Sequence, residues 1–129
     1  MEKGILNWKA NKLMKALGVD EAAEAEFQRE KQEAYVNIGY IGAIVITENW
    51  MFIDTGWSKT LLPLKEIALF KKDYRSSRYN VSFYVELLFA GGKKYWLPCE
   101  WRDLDDLTEI LKERCPQAEM RKNSEYLTL

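Results

Sequence analysis

The clearest strand pattern in the chain lies in residues 80–92, which read NVSFYVELLFAGG. Apolar and polar side chains alternate there, and this is the period of a strand with one face buried. The apolar positions are Val81, Phe83, Val85, Leu87 and Phe89. Ala90-Gly91-Gly92 follows and predicts a hairpin turn, because glycine tolerates the backbone angles of tight turns. This stretch predicts a β-hairpin in the body of the protein.

Further strands are predicted on both sides of this hairpin. From residue 35 onward, β-branched and aromatic residues are frequent, and turn residues separate short segments. The predicted strands are residues 35–40, 42–47, 50–54, 59–63, 67–72, 80–89 and 93–97. The body of the protein is therefore expected to be an antiparallel sheet of about seven strands.

Helices are predicted before and after the strands. The segment up to Gly18 has an apolar face at helical spacing, formed by Leu6, Ala10, Leu13, Met14 and Leu17. Asp20 is expected to cap a second, mostly solvated helix to about Glu33, with a thin apolar stripe of Ala23, Phe27 and Ala34. The last helix has an apolar face of Leu104, Leu107, Thr108, Leu111 and Cys115, and it ends at Pro116. This organisation predicts a helical segment 1–34, a body 35–116 and a loose polar tail 117–129.

Composition limits the chemistry that the chain can perform. Its 129 residues are 47% apolar and 13% aromatic, which predicts one soluble globular domain. Nineteen basic and twenty acidic residues leave a net charge of -1, so no overall field attracts nucleic acid. The absence of histidine excludes Ser/His/Asp, Cys/His and zinc–histidine sites. We expect no cofactor, no metal and no enzymatic activity.

The cellular location is predicted from the cysteines and the apolar runs. Polar residues interrupt the N-terminus too early for a signal peptide, and residues 41–46 are the longest central nonpolar run. That run is far shorter than the roughly 20 residues that span a bilayer. Cys99 and Cys115 are expected to be reduced and unpaired. The sequence thus predicts a cytoplasmic protein.

Four short motifs resemble a known superfold. They are ITENWMFI at 46–53, LPLKEI at 62–67, GGKK at 91–94, and a leucine-rich segment, 107–116, that ends in Cys115-Pro116. In this order the chain resembles small bacterial PH-like proteins of unknown function, within the pleckstrin-homology superfold, over about residues 35–116. The resemblance implies an α+β, mainly β fold: a partly open barrel of about seven antiparallel strands, capped by a C-terminal helix, here with an N-terminal helical extension. The motifs carry no catalytic group.

Candidate binding residues lie outside the position that the resemblance implies. A phosphoinositide site of PH type needs basic residues between the first two strands, and residues 37–43 contain none. Basic residues gather instead near Tyr74-Arg75-Ser76-Ser77-Arg78-Tyr79, a predicted loop that either binds phosphate or an acidic surface, or is a solvated hairpin end. The candidate residues are Lys71, Lys72, Tyr74, Arg75, Arg78 and Trp57. Trp50, Trp57, Trp96 and Trp101 cannot all be central, so one or two are expected at a groove or interface.

Three functions follow from these features. The first is a non-enzymatic protein-interaction or scaffolding module that binds another protein, or a second copy of the chain, through a sheet edge, a groove or the N-terminal helices. A second copy is considered because the apolar face of the first helix must pack on its own sheet or on a neighbour. The second is a peripheral binder of anionic membranes through Lys9, Lys12 and Lys15 with the Arg75 and Arg78 loop. The third is a dimeric aspartic protease, based on Asp54-Thr55-Gly56, a motif that equally suits a turn.

Overall fold

The computed structural model describes residues 12–39, 43–56, 58–76 and 78–122. These residues form an α+β fold with two four-stranded sheets and a C-terminal helix, and their strands do not close into a barrel. The chain divides into two compact units, with the boundary between Leu64 and Lys65. No helix in the described ranges is long and apolar enough to cross a bilayer.

The first unit consists of two helices followed by a four-stranded antiparallel sheet. The helices are α1 (Lys12–Ala16) and α2 (Glu21–Glu33), and the strands are β1 (Val36–Ile38), β2 (Ile44–Ile46), β3 (Trp50–Asp54) and β4 (Lys59–Pro63). The strands pair in chain order, with Ile46 opposite both Val36 and Met51. Asp20 accepts a 3.0 Å hydrogen bond from the Ala23 N–H and so caps α2 as predicted.

The two helices share a core with this sheet. Their buried side chains, Met14, Val19, Ala23 and Phe27, cluster with Val45, Trp50, Phe52 and Leu61, and Leu17 is partly buried against them. The rings of Phe27 and Phe52 lie 5.5 Å apart. The described part of the first helix therefore packs on the sheet of its own chain, while Leu6 and Ala10 lie outside the described residues. Most of α2 is exposed as predicted, and Ala34 is exposed too.

The second unit contains a four-stranded sheet and the C-terminal helix. Its elements are β5 (Ile67–Ser76), β6 (Val81–Phe89), β7 (Lys94–Cys99), α3 (Leu104–Arg114) and β8 (Glu119–Lys122), with 3-10 turns at Leu64–Glu66 and Trp101–Asp103. The strand order is β7-β6-β5-β8. The predicted hairpin turn is confirmed: Gly91 and Gly92 have φ angles of 90° and 91°, and the Phe89 N–H donates to the Lys93 carbonyl at 2.8 Å.

The apolar face of α3 is buried as predicted. Leu104, Leu107, Thr108, Leu111 and Cys115 are all buried, and α3 contacts both β5 and β6. The buried Thr108 hydroxyl donates to the Leu104 carbonyl one turn earlier, at 3.0 Å. This pairing satisfies a polar group that would otherwise be costly inside a core.

Two predictions for this unit are wrong. Residues 117–129 are predicted to be loose, but Glu119–Lys122 forms β8, which pairs in parallel with β5; residues 123–129 lie outside the described part of the chain. Gln117 fixes the approach to β8, because its Nε2 donates to the carbonyls of Lys65 (3.3 Å) and Ile67 (3.2 Å). The fifth strand also continues past its predicted end at residue 72 to Ser76, because its backbone stays paired with β6. Tyr74 and Arg75 therefore lie in a strand and not in a loop.

Candidate functional site

The predicted basic cluster is dispersed. Lys71 and Lys72 are neighbours in β5, so their side chains leave opposite faces of the sheet. The Lys71 Nζ lies 3.3 Å from Glu86 Oε2 and 3.9 Å from Asp73 Oδ2. On the face that carries α3, the Lys72 Nζ lies 2.7 Å from Asp105 Oδ1. Both lysine charges are matched within the protein, which weakens the case for a phosphate site here.

The remaining candidate residues are not brought together either. Tyr74 is half-buried, with its ring 6.4 Å from that of Phe83. Arg78 is exposed at the β5–β6 hairpin, with its guanidinium carbon 5.7 Å from the centre of the Tyr79 ring. Trp57 and the side chain of Arg75 lie outside the described part of the structure. Among the described side chains of the predicted set, Arg78 is the exposed cation that lies next to an exposed aromatic ring.

Large apolar side chains are exposed at one end of the second sheet. Tyr79, Val81 and Trp101 have 89%, 45% and 69% of their surface accessible. Val81 begins β6 opposite Ser76, and Phe83 pairs with Cys99 near the end of β7. Trp101 follows Cys99 by two residues, so it belongs to the same end of the sheet as Val81. We call Arg78, Tyr79, Val81 and Trp101 the hairpin-end surface.

The charges beside this surface differ in sign. Arg78 supplies the basic side. On the β7 side, Asp103 follows in a turn closed by its own N–H, which donates to the Glu100 carbonyl at 2.9 Å. Glu100 is already paired with Arg102, at 2.9 Å between Oε2 and Nη2. Asp106 in the first turn of α3 adds further negative charge, whereas Asp105 is matched by Lys72. The exposed apolar groups therefore have a basic residue on the hairpin side and an acidic flank after Trp101.

The two thiols near α3 are poor nucleophiles. Burial, reinforced by the nearby Asp103 carboxylate, raises the pKa of Cys99 to about 12. Burial alone raises the pKa of Cys115 to about 11. Both thiols are free and are protonated at neutral pH, and the thiolate is the reactive form. The described residues contain no group of three or more acidic, cysteine or histidine side chains that could hold a metal ion.

Asp54-Thr55-Gly56 forms the turn that joins β3 to β4. The Gly56 N–H donates to Asp54 Oδ1 at 2.9 Å, and the Thr55 N–H donates to the Ser58 carbonyl at 3.1 Å. Gly56 has a φ of 87°, which glycine adopts without strain. Asp54 therefore uses its carboxylate to close a turn within its own chain, which is the turn alternative for this motif.

Sequence reasoning missed a buried carboxylate in the first unit. Glu30 on α2 accepts hydrogen bonds from Thr47 Oγ1 (2.7 Å), from the Asn49 N–H (2.9 Å) and from Asn49 Nδ2 (2.6 Å). Burial by itself raises the pKa of Glu30, but the hydrogen bonds from Asn49 and Thr47 outweigh it and the net pKa is lowered. The available signal was spacing, because Glu30 continues the buried stripe one turn after Phe27. These three hydrogen bonds connect α2 to the β2–β3 turn.

Trp96 and Trp101 are exposed, whereas Trp50 is buried in the core of the first unit. Two of the described tryptophans are thus exposed, and the expectation that one or two of them line a groove or an interface stays a prediction. The chain matches no protein-family model and no curated protein.

Proposed function

We propose that this chain is a non-enzymatic protein-interaction or scaffolding module and that it binds its partner through the hairpin-end surface. The observation that carries the proposal is the joint exposure of Tyr79, Val81 and Trp101 at one end of the second sheet. Contiguous exposed apolar groups mark interaction sites. Tryptophan, tyrosine and arginine also contribute most of the binding energy at protein interfaces, and three of the four residues of this surface are of these types.

A PH-like architecture is part of the proposal. A four-stranded antiparallel sheet, a second antiparallel run of β5, β6 and β7, and a C-terminal helix follow one another in the order that the resemblance implies. The parallel strand β8 is an addition to that order. Such a scaffold would present the β5–β6 hairpin at the end of a rigid sheet, where a partner meets side chains that are already ordered.

Charge favours a protein over an anionic membrane as the partner. Lys71 and Lys72 are neutralised by carboxylates of the protein, Lys72 by Asp105, and Asp103 and Asp106 follow Trp101 closely in sequence. An anionic lipid surface would repel these two carboxylates. Lys12 and Lys15 are exposed on α1, and they keep lipid binding as the second candidate.

Site-specific photo-crosslinking tests the proposal. A photoreactive phenylalanine analogue replaces Trp101 in one variant and Tyr35, an exposed aromatic outside the hairpin-end surface, in the control. We expect protein adducts from position 101 in intact cells, identified by mass spectrometry, and few from position 35. Val81→Asp should remove the adducts, because it replaces an apolar side chain of the hairpin-end surface with a charge.

Two results would contradict this function. One is equal crosslinking from positions 101 and 35, which would make the exposed tryptophan irrelevant to binding. The other is salt-sensitive sedimentation of the purified chain with phosphatidylserine vesicles that Arg78→Glu abolishes, together with no protein adduct from position 101. Those two results together would show that the hairpin-end surface binds anionic lipid and not a protein.

A further inference from the structure

We infer that the hairpin-end surface binds a second copy of this chain about a twofold axis. The inference rests on the proposed function and names its partner. A twofold interface brings the same patch of two subunits together, so the patch must be complementary to itself. The hairpin-end surface meets this condition together with Asp103 of its acidic flank. It carries charges of both signs, and its apolar side chains can cover those of a second copy.

The charges at the two flanks are the first part of the argument. Arg78 lies in the β5–β6 hairpin that precedes Val81, and Asp103 follows Trp101 by two residues, beyond the end of β7. Arg78 is exposed and Asp103 is half-buried. Neither side chain forms an ion pair with another residue in the described ranges. Their neighbours are matched internally, since Lys72 pairs with Asp105 and Arg102 pairs with Glu100. Within the part of the chain that the structure describes, one cation and one anion without an ion-pair partner thus belong to this end of the second sheet.

Rotation about a twofold axis through the patch pairs these charges twice. Arg78 of each copy faces Asp103 of the other, and the apolar side chains between them cover each other. An arrangement of the two copies that places Arg78 opposite Arg78 and Asp103 opposite Asp103 is disfavoured by repulsion. The charges therefore select the orientation of one copy relative to the other. Trp101 and Val81 supply the apolar contact area, and each copy contributes both of them.

The test uses sedimentation equilibrium of the full chain at low ionic strength. Four variants are compared with the unaltered chain: Arg78→Asp, Asp103→Arg, the double variant that carries both changes, and Arg29→Asp as a control with the same charge change on α2. We expect a dimer for the unaltered chain and for Arg29→Asp. Each single variant at the surface should weaken dimerisation by about tenfold or more, because it sets two like-charge pairs in one interface.

Exchange of the charges should restore the dimer. In the double variant each Asp at position 78 faces an Arg at position 103, and we expect a dissociation constant within about threefold of the unaltered one. An equimolar mixture of Arg78→Asp and Asp103→Arg should form a heterodimer, because both cross-pairs are then attractive. Asp103→Arg also places a cation at the N-terminus of α3 and lowers its stability, but a folding defect would not be repaired by a change at Arg78.

A monomeric unaltered chain at the highest concentration measured would overturn the inference. So would single variants that dimerise normally, or a double variant that dimerises no better than the singles. If the chain is monomeric but position 101 crosslinks to a different protein, the self-association is refuted and the interaction module stands. If position 101 forms no protein adduct at all, both proposals fail.

Discussion

The Thr47 hydroxyl donates a 2.7 Å hydrogen bond to the carboxylate of Glu30, seventeen residues earlier in the chain. This bond joins the last turn of α2 to the turn between β2 and β3. Asn49 completes the arrangement with one backbone and one side-chain donor. A buried carboxylate is stable only when its oxygens are hydrogen-bonded, and here both of them are.

Replacement of Glu30 should destabilise the first unit. Glu30→Ala leaves the Thr47 and Asn49 donors without their acceptor, and we expect a loss of about 2–3 kcal/mol in the free energy of unfolding. Glu33→Ala on the same helix is the control. Its 3.5 Å ion pair with Arg29 is exposed, so the loss should be below about 0.5 kcal/mol. Urea titration followed by circular dichroism measures both, and equal losses would contradict the structural role of Glu30.

The same carboxylate predicts acid sensitivity. In the folded chain the pKa of Glu30 lies below its ordinary value of 4.5. As the pH falls below about 4.5, the unfolded chain therefore takes up a proton before the folded chain does. The contribution of Glu30 to stability is complete above that pH and is lost as the pH falls through the lowered folded value. Unfolding curves between pH 6 and pH 3 should show a shallower decline for Glu30→Gln, and identical declines would refute the assignment.

Truncation of the α3 core should be costly. Leu107→Ala and Leu111→Ala each remove a fully buried side chain and should lower the free energy of unfolding by about 2–5 kcal/mol, because a cavity remains. Glu113→Ala, at an exposed position of the same helix, should change it by less than about 0.5 kcal/mol. Losses under about 1 kcal/mol at both leucines would mean that α3 does not close the core of its unit.

The packing of α2 gives a matched pair of variants. Phe27→Ala removes a ring from the core of the first unit, and we expect a loss of about 3–5 kcal/mol. Gln28→Ala, next to it on the exposed face, should have almost no effect. Chemical denaturation compares the two. A small loss for Phe27→Ala would show that the sheet is stable without its helices.

The thiols should react slowly in the folded protein. With pKa values raised to about 12 at Cys99 and about 11 at Cys115, few thiolates exist at pH 8. Iodoacetamide should label the native chain at least about 100-fold more slowly than the urea-unfolded chain. Mass spectrometry without reductant should find both cysteines free. A Cys99–Cys115 disulfide in fresh protein would contradict both the packing and the expected reduced state.

Elements with a local pattern were predictable from the sequence. The alternation at Val81–Phe89, the glycines after it and the heptad-like spacing of Leu104, Leu107 and Leu111 each fix a structure from neighbouring residues. Burial then follows from the same pattern, because one face of each element is apolar. The predicted strands before the boundary at Leu64 all exist, although β1 and β2 are shorter than expected.

Features held by distant partners were not predictable. Strand β8 has a single apolar residue, Met120, so it shows no alternating pattern. Its position depends on Gln117 and on backbone pairing with β5. Glu30 is polar in sequence and becomes a core residue only through Thr47 and Asn49. The prediction that the basic residues form one cluster fails for a related reason. Lys71 and Lys72 are adjacent in a strand, so their side chains lie on opposite faces of the sheet.

The parallel pairing of β5 with β8 has a consequence for synthesis of the second unit, because β8 is the last of these elements to be made. A ribosome makes β5, β6, β7 and α3 before β8, and Gln117 meets its partner Ile67 only after fifty further residues have been added. Until then one edge of β5 keeps unpaired peptide groups, which is the feature that recruits foreign strands. The nascent unit is therefore most vulnerable to aggregation in the interval between completion of the β6–β7 hairpin and release of β8.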